Sequence, residues 1–371
     1  MESTKIGNKE AIALIVTIVF NNIIMNVTKA LIDVSSSASL INVLYIGIIS
    51  IIFTCIICYF LNKFPTLDIV DISEYLGGKI LKWIIGILFV AYFIFFAGIL
   101  LQMFVSCLEI MYFQLVKVNY MVALFIICAV ISCNMKHNAV YRANLIIFPL
   151  LVISTLFLFV ADFRYMVVEK MYPILGNGWY ATFIAGLSNL FAFQGLAYIY
   201  FIPPKLKEPT QLKKIAITSI VLSCILLLIC VAIILFMFNG FVETDELLPL
   251  YSAVKYIEFG SFFQKSDSAF VLIWIICFAS YLSITLKFSS NILIKLTKFE
   301  NENFFNLLLC ISLFFIGIWQ KKYALTIFFT DTIYKYSFFI LVVGISFCIL
   351  LFATMKQKAR KWFKWVKILL L

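Results

Sequence analysis

A succession of ten apolar runs decides most of what this chain can become. They fall at residues 10–31, 39–61, 80–108, 118–135, 140–161, 180–202, 215–239, 268–290, 304–320 and 335–355. A helix rises about 1.5 Å per residue and a bilayer's hydrocarbon core is about 30 Å thick, so roughly 20 apolar residues make one crossing. Polar or Pro-containing breaks such as Asn62-Lys63-Phe64-Pro65 and Pro203-Pro204 separate the runs. With 64% hydrophobic and only 13% charged residues, the surface would be too apolar to face water. In lipid every backbone polar group needs an internal partner, and runs of this length meet that need as helices. The expected fold class is an all-α integral membrane protein of about ten transmembrane helices. Residues 1–371 then form a single polytopic membrane domain. The first run leads into Asn21, Asn22 and Asn26 rather than a small-residue cleavage site, so it is expected to be a membrane helix and not a signal peptide.

The net charge of +11 is no nucleic-acid signature here, because cytoplasmic loops collect Lys and Arg. If the N-terminus is inside, twenty of the 29 basic residues fall on that side and nine on the other. Both termini are therefore expected in the cytoplasm. Residues 356–371 form a basic tail in which Trp362, Phe363 and Trp365 are interleaved with Lys and Arg, a pattern that suits the surface of an anionic membrane leaflet. Ten Cys lie in apolar segments. Cys55 and Cys58 have CxxC spacing, with no second pair or His nearby to complete a metal site. One His and no nucleophile–base constellation or phosphate-binding loop exclude an obvious enzyme or ATPase, and no cofactor is expected.

Two runs carry polar interruptions. The first reads Val19-Phe20-Asn21-Asn22-Ile23-Ile24-Met25-Asn26, and the sixth reads Phe193-Gln194-Gly195. Amides cannot stay unpaired in hydrocarbon, so they must face protein, water or ligand. If the ten helices form a 5+5 inverted repeat, helices 1 and 6 correspond. Paired interruptions at corresponding positions are a sequence pointer to a binding site at the bilayer midplane. Gly195 is expected to let helix 6 unwind. Amides that merely tie neighbouring helices together are the plainer alternative. Glu109, Arg142 and Lys287 sit at run ends, where long side chains reach the interface, and Asp267 is placed to cap the eighth helix.

Several short motifs, in order along the chain, resemble the B subunit of the spore germination receptors of endospore-forming bacteria, a permease-like family of the amino acid–polyamine–organocation superfamily. They are Ser73-Glu74-Tyr75-Leu76-Gly77, Ile85-Gly86-Ile87-Leu88 through Ala91-Tyr92-Phe93, Arg142 with Pro149, Pro173 to Gly178, Phe193-Gln194-Gly195 through Pro203, and Lys265-Ser266-Asp267 through Trp274. The chain departs from that pattern at Asn21 and Thr28, where the family has Gly and Pro, and at Ala197, where it has Glu. Lys265 stands for an Arg and Gln320 for a Pro. The resemblance implies a germinant-sensing subunit of the spore inner membrane, working with a germinant receptor A subunit and a lipoprotein C subunit. It also implies a small amino acid-like germinant held between helices 1, 3, 6 and 8. On this chain the candidate ligand-binding residues are Asn21, Asn22, Tyr92, Phe193, Gln194, Gly195, Ser280 and Thr285. A secondary transporter of amino acids or related solutes, or an ion or water conduit, is the alternative function.

Overall fold

The computed structural model describes residues 5–135, 137–238, 249–255, 267–319 and 329–369. Lys265, Ser266 and Gln320, and the side chains of Asp267 and of the tail beyond residue 359, lie outside the described part. Among the described residues, seven stretches are long and apolar enough to cross a membrane. The first, Asn8–Leu61, is 54 residues long and reverses direction at Ser36, whose φ of 49° turns the chain, so it holds two crossings. Two shorter apolar helices bring the total to ten segments among the described residues.

These are α1 (8–35), α2 (Ser39–Leu61), α3 (Ile69–Met111), α4 (Val118–Asn134), α5 (His137–Asp162), α6 (180–199), α7 (Leu212–Met237), α8 (Asp267–Thr297), α9 (Glu302–Trp319) and α10 (329–369). The expectation of an all-α integral membrane protein holds. α2 packs along α7, α3 along α8, and α1 against both α5 and α7. Close approach of α2 and α7 depends on Gly47, where a Cβ would lie 2.6 Å from Cys224 Sγ.

At 43 residues α3 is too long for one crossing, and Gly78 divides it with a φ of 74° that favours glycine. Asp68 starts this element as an N-cap. Its Oδ1 accepts from the Val70 and Asp71 amides at 3.1 and 3.0 Å, and Asp71 reaches back to the Asp68 amide. The same carboxylates accept from Lys295 of α8 at 2.5 and 2.7 Å. Lys356, at the base of the C-terminal tail, donates to the Tyr75 and Leu76 carbonyls, both at 2.9 Å. The basic tail thus begins as a continuation of α10 tied to the short first part of α3.

Two ends of the bundle are closed by different chemistry. At the end carrying the N-terminus, Ile6 pairs with Leu206 as a parallel bridge: the Ile6 amide donates to Lys205 O at 2.7 Å and the Lys207 amide to Ile6 O at 3.1 Å. Around it stand the pairs Glu10–Arg142 (3.7 Å), Lys287–Glu302 (3.7 Å) and Lys295 with Asp68 and Asp71. At the other end backbone acceptors dominate. Ser37 donates to Pro173 O at 2.5 Å, Asn177 to Val34 O at 3.1 Å and Asn42 to Thr182 O at 2.6 Å.

Lys287 corrects an expectation. Its helix continues past the apolar run to Thr297, so the residue is 1% exposed and donates inward to Met135 O at 3.0 Å instead of reaching for the membrane surface.

Candidate functional site at the contact of α1 and α6

Both interrupted helices are interrupted, but neither by extended backbone. α1 runs as α-helix over Asn8–Asn22, widens to a π-helical stretch at Ile23–Val27 and resumes at Thr28–Ser35. Such widening shifts the backbone bonds out of register by one residue and is frequent at functional sites. α6 is π-helical over Tyr180–Ile184, tightens to 3-10 helix over Ala185–Phe193 and ends as Leu196–Ile199. Three-residue steps carry it through the polar motif: Gln194 N to Phe191 O, Ala197 N to Gln194 O and Tyr198 N to Gly195 O, at 3.1, 2.9 and 3.1 Å.

Gly195 therefore does not open the backbone, as the sequence suggests it would. Its φ and ψ of −55° and −20° are helical. What it supplies is room, because a Cβ there would lie 2.6 Å from Val19 Cγ2 and 3.1 Å from Ile15 Cγ2 of α1.

Around that contact the polar side chains are only partly satisfied. Asn21 is 3% exposed and donates to Thr17 O at 2.7 Å and to Cys277 O of α8 at 3.3 Å, which ties α1 to α8. Asn22 is fully buried and donates to Phe191 O at 3.4 Å, while its Oδ1 has no hydrogen-bond partner among the described residues. Gln194 Nε2, Asn26 Nδ2 and Thr17 Oγ1 are also buried and unpartnered. Each such atom costs about 1–3 kcal/mol relative to a satisfied one. Phe193 is fully buried beside them in sequence.

Tyr92 of α3 joins this region through aromatic rings. Its ring lies 6.2 Å from Tyr334 of α10, which lies 5.6 Å from Phe191 of α6. The two hydroxyls face each other, and neither meets a further partner among the described residues. Tyr92 also lines a groove of about 320 Å³ between α3 and α10, with Phe96, Ser337 and Leu341.

The structure does not bring Ser280 and Thr285 to the same place. Ser280 donates to Asn144 of α5 at 3.1 Å and lines a separate groove of about 330 Å³ between α4, α5 and α8. The α8 group that meets α1 is instead the carbonyl of Cys277, one turn earlier. Thr285 lies further along α8, bonded to Tyr281 O and to the Tyr198 hydroxyl, both at 2.9 Å.

Sequence reasoning passed over three residues of this region. Asn26 was visible in the first-helix motif. Tyr334 was not, because it precedes the tenth apolar run whereas the described helix already covers Phe329–Tyr334, and Lys335 stood unremarked as that run's first residue. Lys335 places its Nζ 5.2 Å from the centre of the Phe191 ring, beside the tip of the α6 3-10 segment.

The profile of the spore germination protein family, the spore permeases, matches residues 5–325. The chain belongs to that family. Spore germination protein B2 of Bacillus subtilis (strain 168) is 22% identical to it over 341 residues, covering 90% of this chain and 91% of the relative. Two solved transporters share the fold of this spore permease at much lower identity. One is a Na+-coupled sialic acid symporter in a substrate-bound outward-open state, with a TM-score of 0.66, 12% identity and 92% of this chain and 79% of the other covered. The other is Mhp1, a nucleobase-cation-symport-1 family transporter in a closed conformation with bromovinylhydantoin bound. Its TM-score is 0.70 and its identity 10%, with 93% of this chain and 78% of the other covered. The spore permease thus has the 5+5 inverted-repeat fold of transporters, and family and fold relatives alike are membrane permeases or transporters.

Proposed function

We propose that the chain is the germinant-sensing, permease-like subunit of a spore nutrient receptor, and that it binds a small amino acid-like nutrient where α1 and α6 meet. The observation that carries this reading is the set of buried polar atoms left without full partners on α1 and α6 and on the neighbouring tyrosines of α3 and α10. Gln194 Nε2, Asn26 Nδ2 and the Tyr92 and Tyr334 hydroxyls can donate, and Asn22 Oδ1 can accept. A carboxylate takes hydrogen bonds from the donors and an ammonium group gives one to Asn22. Lys335 adds a positive charge near the same wall, and Phe193 and Tyr92 supply apolar surface. Asn21 and Gly195 position α1 rather than touch the ligand, and Ser280 and Thr285 act at most from neighbouring layers.

Binding shifts the permease fold between two states, which requires different affinity for each. An A subunit and a lipoprotein C subunit read the shift in the spore inner membrane, with both termini of this chain in the cytoplasm.

The test is germination of spores carrying Asn22→Ala or Gln194→Met, dosed with amino acids, nucleosides, sugars and ions. Both variants, present at normal protein level, should lose the response to one nutrient class. An unchanged dose–response would overturn the site. The likeness to two symporters favours transport as a second reading, and net uptake of the same nutrient into vesicles by the chain alone would establish it.

A further inference from the structure

α10 is widened along the stretch where it faces α3. It is π-helical over Phe329–Tyr334 and again over Phe338–Ile345, with a short α-helical piece, Lys335–Ser337, between them. The result is a straight row of side chains. Ile333, Ser337, Leu341 and Ile345, each four residues from the next, all line the groove of about 320 Å³ between α10 and α3. In a regular α-helix each step of four residues rotates such a row by about 40°, which would carry Ile345 round to another face. A π-helical turn takes in more residues, so the row stays in line. From α3 the groove is lined by Leu88, Ala91 and Phe95. Ala91 and Ser337 are the small residues of the two rows, and they leave the space.

The groove opens on the bilayer and offers nothing polar. Leu88, Ala91 and Ile340 line it and are exposed, in segments that cross the membrane. The Ser337 hydroxyl donates to Tyr334 O at 3.0 Å, and the Tyr92 hydroxyl is buried and faces that of Tyr334. A polar ligand in this groove would leave its own donors and acceptors unmet. A further helix is too wide, since one with its side chains measures about 10–12 Å across. The groove holds the volume of about ten waters, which is also that of a run of roughly ten methylene groups.

We propose that one acyl chain of the surrounding phospholipid seats in this groove. Walls on several sides give it dispersion contacts that a chain lying on a convex helix face lacks, so it exchanges more slowly than its neighbours. The back wall is made by Tyr92 and Phe96, whose rings lie 6.2 and 4.1 Å from the ring of Tyr334. The seated chain is thus one side chain away from the region assigned to the nutrient. The seat itself does not depend on what the α1–α6 contact binds.

The test is photolabelling of the full chain in nanodiscs of phosphatidylethanolamine and phosphatidylglycerol. The probe is a phosphatidylcholine with a diazirine midway along one acyl chain, added in rising proportion, and labelled peptides are mapped by mass spectrometry. Peptides covering Leu88–Phe96 and Ile333–Ile345 should label several-fold more than those covering Leu44–Ile52, an exposed row of α2. Their labelling should also saturate while that of α2 still rises with the probe. Ala91→Trp fills the groove from an exposed position and should bring its labelling down to the level of α2. Ser337→Phe fills it from α10, and decides if Ala91→Trp lacks the wild-type unfolding transition. Groove peptides that label no more than α2 overturn the proposal. So does an excess of labelling that survives in a folded, groove-filling variant.

Discussion

Gln194, Asn22 and Asn26 place polar atoms in a dry interior without giving them partners, and this has a consequence for stability that runs opposite to function. Removing an unsatisfied buried polar atom relieves a desolvation penalty of about 1–3 kcal/mol. Gln194→Met, close in shape, should therefore hold or raise the thermal unfolding midpoint in detergent while abolishing the nutrient response. A lowered midpoint would mean the amide is a structural tie after all. Lys335 invites a sharper comparison. If it meets a carboxylate, Lys335→Met should weaken binding of the nutrient by roughly tenfold to a hundredfold, the worth of a hydrogen bond to a charged group. Affinity for the matching amide, which carries no negative charge, should barely move. Isothermal titration with acid and amide separates this from general damage, which would weaken both.

At the level of elements, the contact of α1 with α6 rests on an absence of side chain at Gly195. Gly195→Ala forces its methyl against Val19 and Ile15, an overpacking expected to cost about 1–3 kcal/mol. Thermal unfolding should show that loss, and nutrient affinity should fall with it because α1 is displaced. The element count, the helical class and the two interrupted helices were legible in the sequence, since run length and amides in apolar stretches are local signals. The kind of interruption was not. Whether a helix containing Asn21 and Asn22 unwinds or widens depends on α8 and α6 supplying acceptors at Cys277 and Phe191, which lie far along the chain. Ser280 shows the same limit. Its place on α8 could be counted, but whether it faces α1 or α5 is set by a rotation that a nearly uniform apolar helix does not encode. Lys295 joining Asp68 and Asp71 spans more than 220 residues, beyond any local pattern. The Asp68 and Asp71 spacing, however, was a readable capping signal.

Across the whole molecule, α6 links the two features that matter most. Gln194 and Gly195 lie at the proposed nutrient site, and the next eleven residues lead through Leu196–Ile199 to Pro203, Lys205 and the Ile6 bridge. A nutrient that prefers one position of this segment must change the equilibrium of the bridge, and by reciprocity the bridge must change nutrient affinity by the same factor. Hydrogen exchange at the Ile6 and Lys207 amides, measured with and without the nutrient that the germination screen identifies, tests this link directly. Protection should change at saturating nutrient by the factor by which opening of the bridge changes nutrient affinity. Protection that is the same with and without nutrient would mean that the two ends of α6 move independently, and that the nutrient signal leaves the molecule by another route.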